Sequence, residues 1–164
     1  MPMTADELLR LPHDARYALV RGELRKQDLL GARDGSVTAR IIGSLTPFVT
    51  RQHLGEVCAA AGFILGRDPD TVYGPPVAFV RDDRFVDTGD FLDAPPDVVF
   101  EIDSNVEDKT RAWLHAGVRA VVIVDPRTKS ARIHRAGSVT SAADAIAIED
   151  VIPGWRLSLA ELFK

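Results

Sequence analysis

The spacing of apolar and polar residues distinguishes helical from strand-like segments. Residues 36–54 carry apolar side chains three or four positions apart, which is the spacing of one buried helix face. Pro47 lies inside this segment, so we expect the helix to kink or to split there. A short helix is predicted near the start of the chain, because Thr4 and Glu7 have the spacing of a capping box and Pro12 limits its length.

Most of the remaining apolar segments have the length and residue types of strands. Residues 16–20 and 23–26 flank Arg21-Gly22, a two-residue turn typical of a β-hairpin. Further strands are predicted at 57–65, 77–80, 97–102, 119–125 and 130–135. The polar segment 82–96 is expected to be a long loop.

One strand–helix–strand unit determines the predicted fold class. The near-continuous apolar runs 97–102 and 119–125 are typical of strands buried on both faces. Between them a helix is expected over 106–116, capped by Ser104 or Asn105 and ended by Gly117. A last short helix should run from Ser158 through Phe163. The order predicts an α/β fold with a mixed sheet flanked by helices and with an N-terminal helix and hairpin. No Gly-rich turn follows a strand, which disfavours nucleotide-binding folds.

Composition restricts the classes of protein further. The 164 residues suit a single domain over 1–164. A single cysteine, Cys58, excludes a disulfide framework and a multi-cysteine zinc site. No apolar run approaches the ~20 residues of a membrane helix, and no signal segment is evident. We therefore expect a soluble cytoplasmic protein with no membrane partner.

Charge is distributed unevenly around a net value of −4. Residues 81–109 contain ten acids and three bases, whereas residues 110–135 contain six bases and one acid. An acidic block beside a basic one fits a cation site next to a phosphate-contacting surface. Solvated loops around a hairpin explain the same pattern equally well.

The strongest candidate chemistry lies at the end of the 97–102 strand. Side chains alternate along a strand, so Glu101 and Asp103 should point to the same face and offer oxygen ligands to Mg²⁺. Lys109 follows in the first turns of the next helix. Carboxylates holding a divalent cation beside a lysine suit phosphodiester hydrolysis. The alternative is a purely structural ion pair between Glu101 and Lys109.

Other reactive residue types give weaker signals. The four histidines have no metal-ligand spacing, and Cys58 fits a buried apolar strand. Trp113 lies four residues after Lys109, and we expect it to pack in the core rather than to stack on a base.

Ordered sequence blocks resemble a known family. Residues 16–24 (Arg-Tyr-Ala-Leu-Val-Arg-Gly-Glu-Leu) look like the opening of the Uma-type "putative restriction endonuclease" family, within the PD-(D/E)xK nuclease superfamily. Matching blocks follow at 54–57, 77–80, 94–102, 116–119, 122–126, 153–157 and 162–163. The resemblance implies a nuclease core and a Mg²⁺-dependent endonuclease acting on DNA. We expect DNA and a second copy of the chain, in a homodimer, as its partners.

The resemblance assigns site residues one by one. Glu101 matches the family's strand glutamate, Lys109 its lysine on the following helix, and Glu23 the glutamate of the first hairpin. The family's metal-binding aspartate corresponds to Pro76, and a histidine usual in the long helix corresponds to Thr38.

The proline is the main departure from the family pattern. Proline has no ligating atom, so the two-acid clamp on the metal is incomplete at Pro76. Asp103 is the acid that could partly substitute, although it occupies the superfamily's usual lysine position. Two hypotheses follow: a Mg²⁺-dependent endonuclease with a degenerate metal site and weak or lost activity, or a non-catalytic nucleic-acid-binding or assembly module on the same fold.

Overall fold

Four helices and twelve strands are formed by residues 1–12, 16–102 and 106–164, which the computed structural model describes. The helices are α1 (Ala5–Leu9), α2 (Ala32–Arg51), α3 (Glu107–Ala116) and α4 (Leu159–Leu162). The strands are β1 (Tyr17–Val20), β2 (Glu23–Lys26), β3 (Gly55–Ala59), β4 (Phe63–Gly66), β5 (Thr71–Tyr73), β6 (Val77–Arg81), β7 (Val98–Ile102), β8 (Ala120–Asp125), β9 (Ser130–Arg135), β10 (Ser138–Ser141), β11 (Ala145–Ala147) and β12 (Arg156–Ser158).

The main sheet has six strands in the order β10-β9-β8-β7-β6-β3. β7 and β8 pair in parallel, and the other neighbours pair antiparallel. α3 connects the two parallel strands, as a crossover requires. The prediction that the apolar runs at 97–102 and 119–125 are adjacent central strands joined by a helix is confirmed, and so is the mixed α/β fold class.

Alternating side chains give the main sheet two buried faces. Val98 and Phe100 face a core formed with α2, α4 and the β11–β12 pair. Val99 points the other way, into a second core that contains Trp113 of α3. The sheet is therefore covered on both sides, which explains why β7 is buried along its whole length.

A second sheet, in the order β2-β1-β5-β4, was not predicted. One of its faces packs on the core around Trp113, and the other packs on α1. The prediction of one strand over 57–65 is wrong, because the chain turns at Ala60 with φ of 53° and divides into β3 and β4. The Ala60 amide donates to the Pro75 carbonyl at this turn, which fixes the change of sheet.

The long helix runs over Ala32–Arg51 rather than 36–54 and is not split at Pro47. Pro47 removes the hydrogen bond to the Gly43 carbonyl, but both residues lie on the exposed face, where water can satisfy that carbonyl. The buried stripe of the helix holds both halves against the sheet. Packing on one face therefore outweighs one missing hydrogen bond on the other.

The predicted turns and caps are confirmed where they lie in the described residues. Thr4 and Glu7 form a reciprocal capping box on α1, and Gly117 ends α3 with φ of 107°. The N-cap candidates Ser104 and Asn105 lie outside the described residues. Within those residues no helix has both the length and the apolar character needed to span a bilayer.

Candidate active-site cleft

A cleft of about 590 Å³ opens where the β1–β2 hairpin approaches the ends of β5 and β7 and the first turns of α3. We call it the cleft. Its walls include one buried carboxylate, one tyrosine, one proline and several cationic side chains, among them Glu101, Tyr73, Pro76, Arg25 and Lys109. The cleft therefore joins the two sheets, and segments distant in sequence meet there.

Glu101 is the buried carboxylate of the cleft, with an exposed fraction of 4%. It lies on β7 two residues after Val99, so alternation places it on the face that packs against α3. The indole N–H of Trp113 donates to Glu101 Oε1 over 3.3 Å. Trp113 is fully buried, which confirms its predicted role in the core. Its hydrogen bond also orients the Glu101 carboxylate.

Tyr73 extends this buried group from the second sheet. Its ring centroid lies 5.6 Å from that of Trp113. Burial raises the pKa of the Tyr73 hydroxyl, Asp108 and Glu101 raise it further, and Arg25 acts in the opposite direction. Tyr73 is therefore held as a neutral hydroxyl on the wall that also presents Glu101.

Pro76 directly precedes β6, the strand that pairs with β7. β6 and β7 pair antiparallel with Val77 opposite Phe100, and Pro76 and Glu101 each lie one residue beyond this pair. Both residues line the cleft. Pro76 thus brings a side chain without an oxygen ligand to the cleft that Glu101 lines.

Lys109 lines the same cleft from the first turns of α3. It makes no ion pair with Glu101 or with any other carboxylate in 1–12, 16–102 and 106–164. The described residues therefore contain no recorded ion pair between Lys109 and Glu101. Lys109 adds a cationic side chain to the lining of the cleft.

Glu23 lies on β2 opposite Val20, next to the hairpin turn. Since directly opposed residues share a face, Glu23 projects from the hairpin face that carries Val20, a cleft residue. It is exposed, pairs with Arg25 over 2.9 Å, and is not among the residues that line the cleft. Its approach to the site stays a prediction.

The described residues do not assemble a divalent-cation site. Mg²⁺ prefers several fixed oxygen ligands, but no group of three or more potential ligands occurs in the described parts of the chain. Pro76 offers no donor to the cleft, and the Thr38 hydroxyl donates to the Asp34 carbonyl of its own helix. Asp103, the predicted second ligand, lies outside the described residues.

The charges along the cleft are balanced. Four basic and four acidic side chains line it in the described residues: Arg16, Arg25, Lys26, Lys109, Asp28, Asp34, Glu101 and Asp108. Of the residues that form this site, sequence reasoning missed Tyr73 and Arg25. The alternating pattern of 16–26 could have placed Arg25 with Ala18 on one hairpin face, but no local signal identifies Tyr73.

The fold belongs to the class of nuclease-like α/β proteins. The structure resembles the crystal structure of "a putative nuclease belonging to DUF820" from Anabaena variabilis, with a TM-score of 0.82 and 18% sequence identity. The match covers 99% of this chain and 98% of that one. At this identity the similarity establishes the fold.

The sequence itself assigns the family. Residues 5–160 match the model of the Uma2 family, described as "Putative restriction endonuclease". The chain therefore belongs to this family of restriction-endonuclease-like nucleases, and the resemblance based on ordered sequence blocks is confirmed. No curated protein matches the chain.

Proposed function

We propose that this protein binds DNA at the cleft and hydrolyses it very slowly or not at all in the presence of Mg²⁺. The observation that carries this proposal is that Pro76 lines the same cleft as Glu101 and stands where the resemblance expects the family's aspartate. Glu101 is the buried carboxylate in the described lining of the cleft. The cleft thus retains the fold of a nuclease site but lacks one fixed oxygen ligand at Pro76.

Weak metal binding follows from the coordination chemistry of Mg²⁺. The ion requires nearly octahedral oxygen geometry and releases its waters reluctantly, so each fixed carboxylate contributes strongly to its affinity. Replacing aspartate by proline also lowers the local negative charge by one unit. Lys109 remains in place to contact a phosphodiester group. Binding is therefore expected to survive where hydrolysis does not.

The test combines metal titration with a cleavage assay on the purified protein. Calorimetric titration with Mg²⁺ and Mn²⁺ should give weak binding, and supercoiled plasmid should remain uncut or be nicked very slowly. Glu101→Gln is the matched control, because it keeps the shape of the side chain and removes its charge. Rapid Mg²⁺-dependent cleavage that Glu101→Gln abolishes would refute the proposal and would identify another acid, such as Asp103, as the missing ligand.

The second candidate is a non-catalytic binding or assembly module, and the exposed edge of the main sheet favours it. β10 forms that edge, and all four of its residues are exposed. An edge strand presents unpaired backbone groups to which a second copy could add. We expect a homodimer, which sedimentation velocity would detect. Val139→Pro, at an exposed residue of β10, should then shift the protein to monomer.

A further inference from the structure

A concave surface of about 430 Å³ lies between the first turns of α2, the β8–β9 turn and the last residues of the chain. Among the residues that the structure describes, five cationic side chains and no carboxylate side chain line it. We call these residues the basic surface: Arg33, Arg40, Arg127, Lys129 and Lys164. A formal charge of +5 is thus concentrated at one place on a chain whose net charge is −4.

Internal ion pairs compensate little of this charge. Arg127 contacts Asp125 over 3.5 Å, but its side chain stays 70% exposed, so its guanidinium group also faces solvent. Arg40 donates to the Leu162 carbonyl, which is neutral. The three remaining cations make no ion pair with a carboxylate in the described parts of the chain: Arg33, Lys129 and Lys164. The field of the basic surface therefore extends into solvent.

The basic surface adjoins the cleft along one edge of the main sheet. β7 and β8 are parallel, with Ile102 beside Val124, so their carboxyl ends lie together. Ile102 lines the cleft, whereas Pro126, two residues after Val124, lines the basic surface. An extended ligand that leaves the cleft at this edge therefore meets the basic surface.

The start of α2 separates the two regions. Arg33 lines the basic surface, and the next residue, Asp34, lines the cleft. Consecutive residues of a helix point about 100° apart, so the first turn of α2 faces both regions. The basic surface and the cleft are thus lined by consecutive residues at this point.

We propose that the basic surface contacts the phosphate backbone of double-stranded DNA and holds the duplex against the cleft. The cleft has equal numbers of acidic and basic side chains in its described lining, so it does not attract a polyanion by net charge. The basic surface supplies that attraction, since neutralising phosphates releases condensed counterions. This inference rests on the proposed function for the identity of the ligand, but it requires no cleavage.

The test is the fluorescence anisotropy of a short labelled duplex titrated with wild type and with Arg127→Glu/Lys129→Glu. Both residues are exposed in the β8–β9 turn, so the double variant is expected to fold, which thermal unfolding checks. The matched control is Arg51→Glu/Arg156→Glu, which changes net charge equally on exposed residues outside both regions. We expect the first variant to weaken binding at least about tenfold, uniformly across DNA sequences, and the control to stay within about twofold of wild type.

The salt dependence provides an independent measurement. In Arg127→Ala/Lys129→Ala, the slope of log affinity against log salt concentration should fall by about two, one for each lost phosphate contact. If wild type binds the duplex and both glutamate variants match it, the basic surface proposal is wrong while the proposed function stands. If wild type binds no duplex, the basic surface proposal and the proposed function are both wrong. A different result would assign the basic surface to a membrane: wild type binds no duplex but binds phosphatidylserine vesicles, and Arg127→Glu/Lys129→Glu weakens that vesicle binding.

Discussion

Pro76 and Glu101 both line the cleft, and each lies one residue beyond the Val77–Phe100 pair of the antiparallel strands β6 and β7. Under the proposed function, this relationship explains how a chain with the fold of this family would bind Mg²⁺ only weakly. The proline precedes the first residue of β6, a position that tolerates a missing backbone donor. The substitution therefore costs the fold little while it changes the chemistry of the cleft.

We expect Pro76→Asp to strengthen Mg²⁺ binding by placing a second carboxylate in the cleft that Glu101 lines. Two carboxylates in one cleft offer a cation more oxygen ligands than Glu101 alone. Calorimetric titration measures the gain, and plasmid cleavage measures whether activity follows. Pro76→Ala is the matched control, because it removes the proline ring without adding a carboxylate. The gain should vanish when Glu101→Ala is added, and an unchanged gain in that double variant would place the bound metal elsewhere.

Much of the fold could be predicted because local and tertiary signals agree. The run at 97–102 is apolar at nearly every position, and β7 is buried on both faces. The second sheet could not be predicted in this way, since β5 has three residues and the positive φ at the turn falls on an alanine, Ala60. Its conformation depends on the Pro75 carbonyl, a partner distant in sequence.

The candidate site was predictable to the extent that strand alternation determines it. Glu101 follows from the period of two along β7, and Lys109 from its place at the start of α3. Tyr73 and the Trp113 hydrogen bond were not predictable, because they depend on how the second sheet and α3 pack over the main sheet. The orientation of Glu101 is therefore a property of the tertiary structure.

We expect Trp113→Phe to destabilise the protein by about 1 kcal/mol through the lost hydrogen bond, and further because a smaller ring fills the core less well. Phenylalanine keeps an aromatic ring in the core but removes the N–H that donates to Glu101. Urea unfolding of both single variants and of Trp113→Phe/Glu101→Gln measures the coupling in a double-mutant cycle. Strictly additive effects would contradict a direct interaction between the two side chains.

We expect Tyr73 to ionise above the ordinary tyrosine pKa of about 10. Burial is the main cause of the raised pKa, with Asp108 and Glu101 adding to it. Because the folded pKa exceeds the unfolded one, stability should fall as the pH rises above about 10. The chain has two tyrosines, so the difference between the ultraviolet titrations of wild type and Tyr73→Phe isolates Tyr73. Asp108→Asn should lower this pKa and Arg25→Ala should raise it, and shifts in the opposite directions would refute the assignment.

Asp70 joins α1 to the second sheet, and we expect Asp70→Asn to destabilise the protein at pH 7. Its Oδ2 accepts from the Ala5 amide over 2.8 Å, and this hydrogen bond is the main cause that lowers the pKa of the carboxyl. The depressed pKa contributes stability above the unfolded value of about 3.9 and loses it as the pH falls through the lower folded value. Urea unfolding should therefore show a difference between wild type and Asp70→Asn that shrinks below pH ~4. Asp68→Asn, an exposed neighbour, is the control, and a difference that is constant with pH would show that the charge of Asp70 is not responsible.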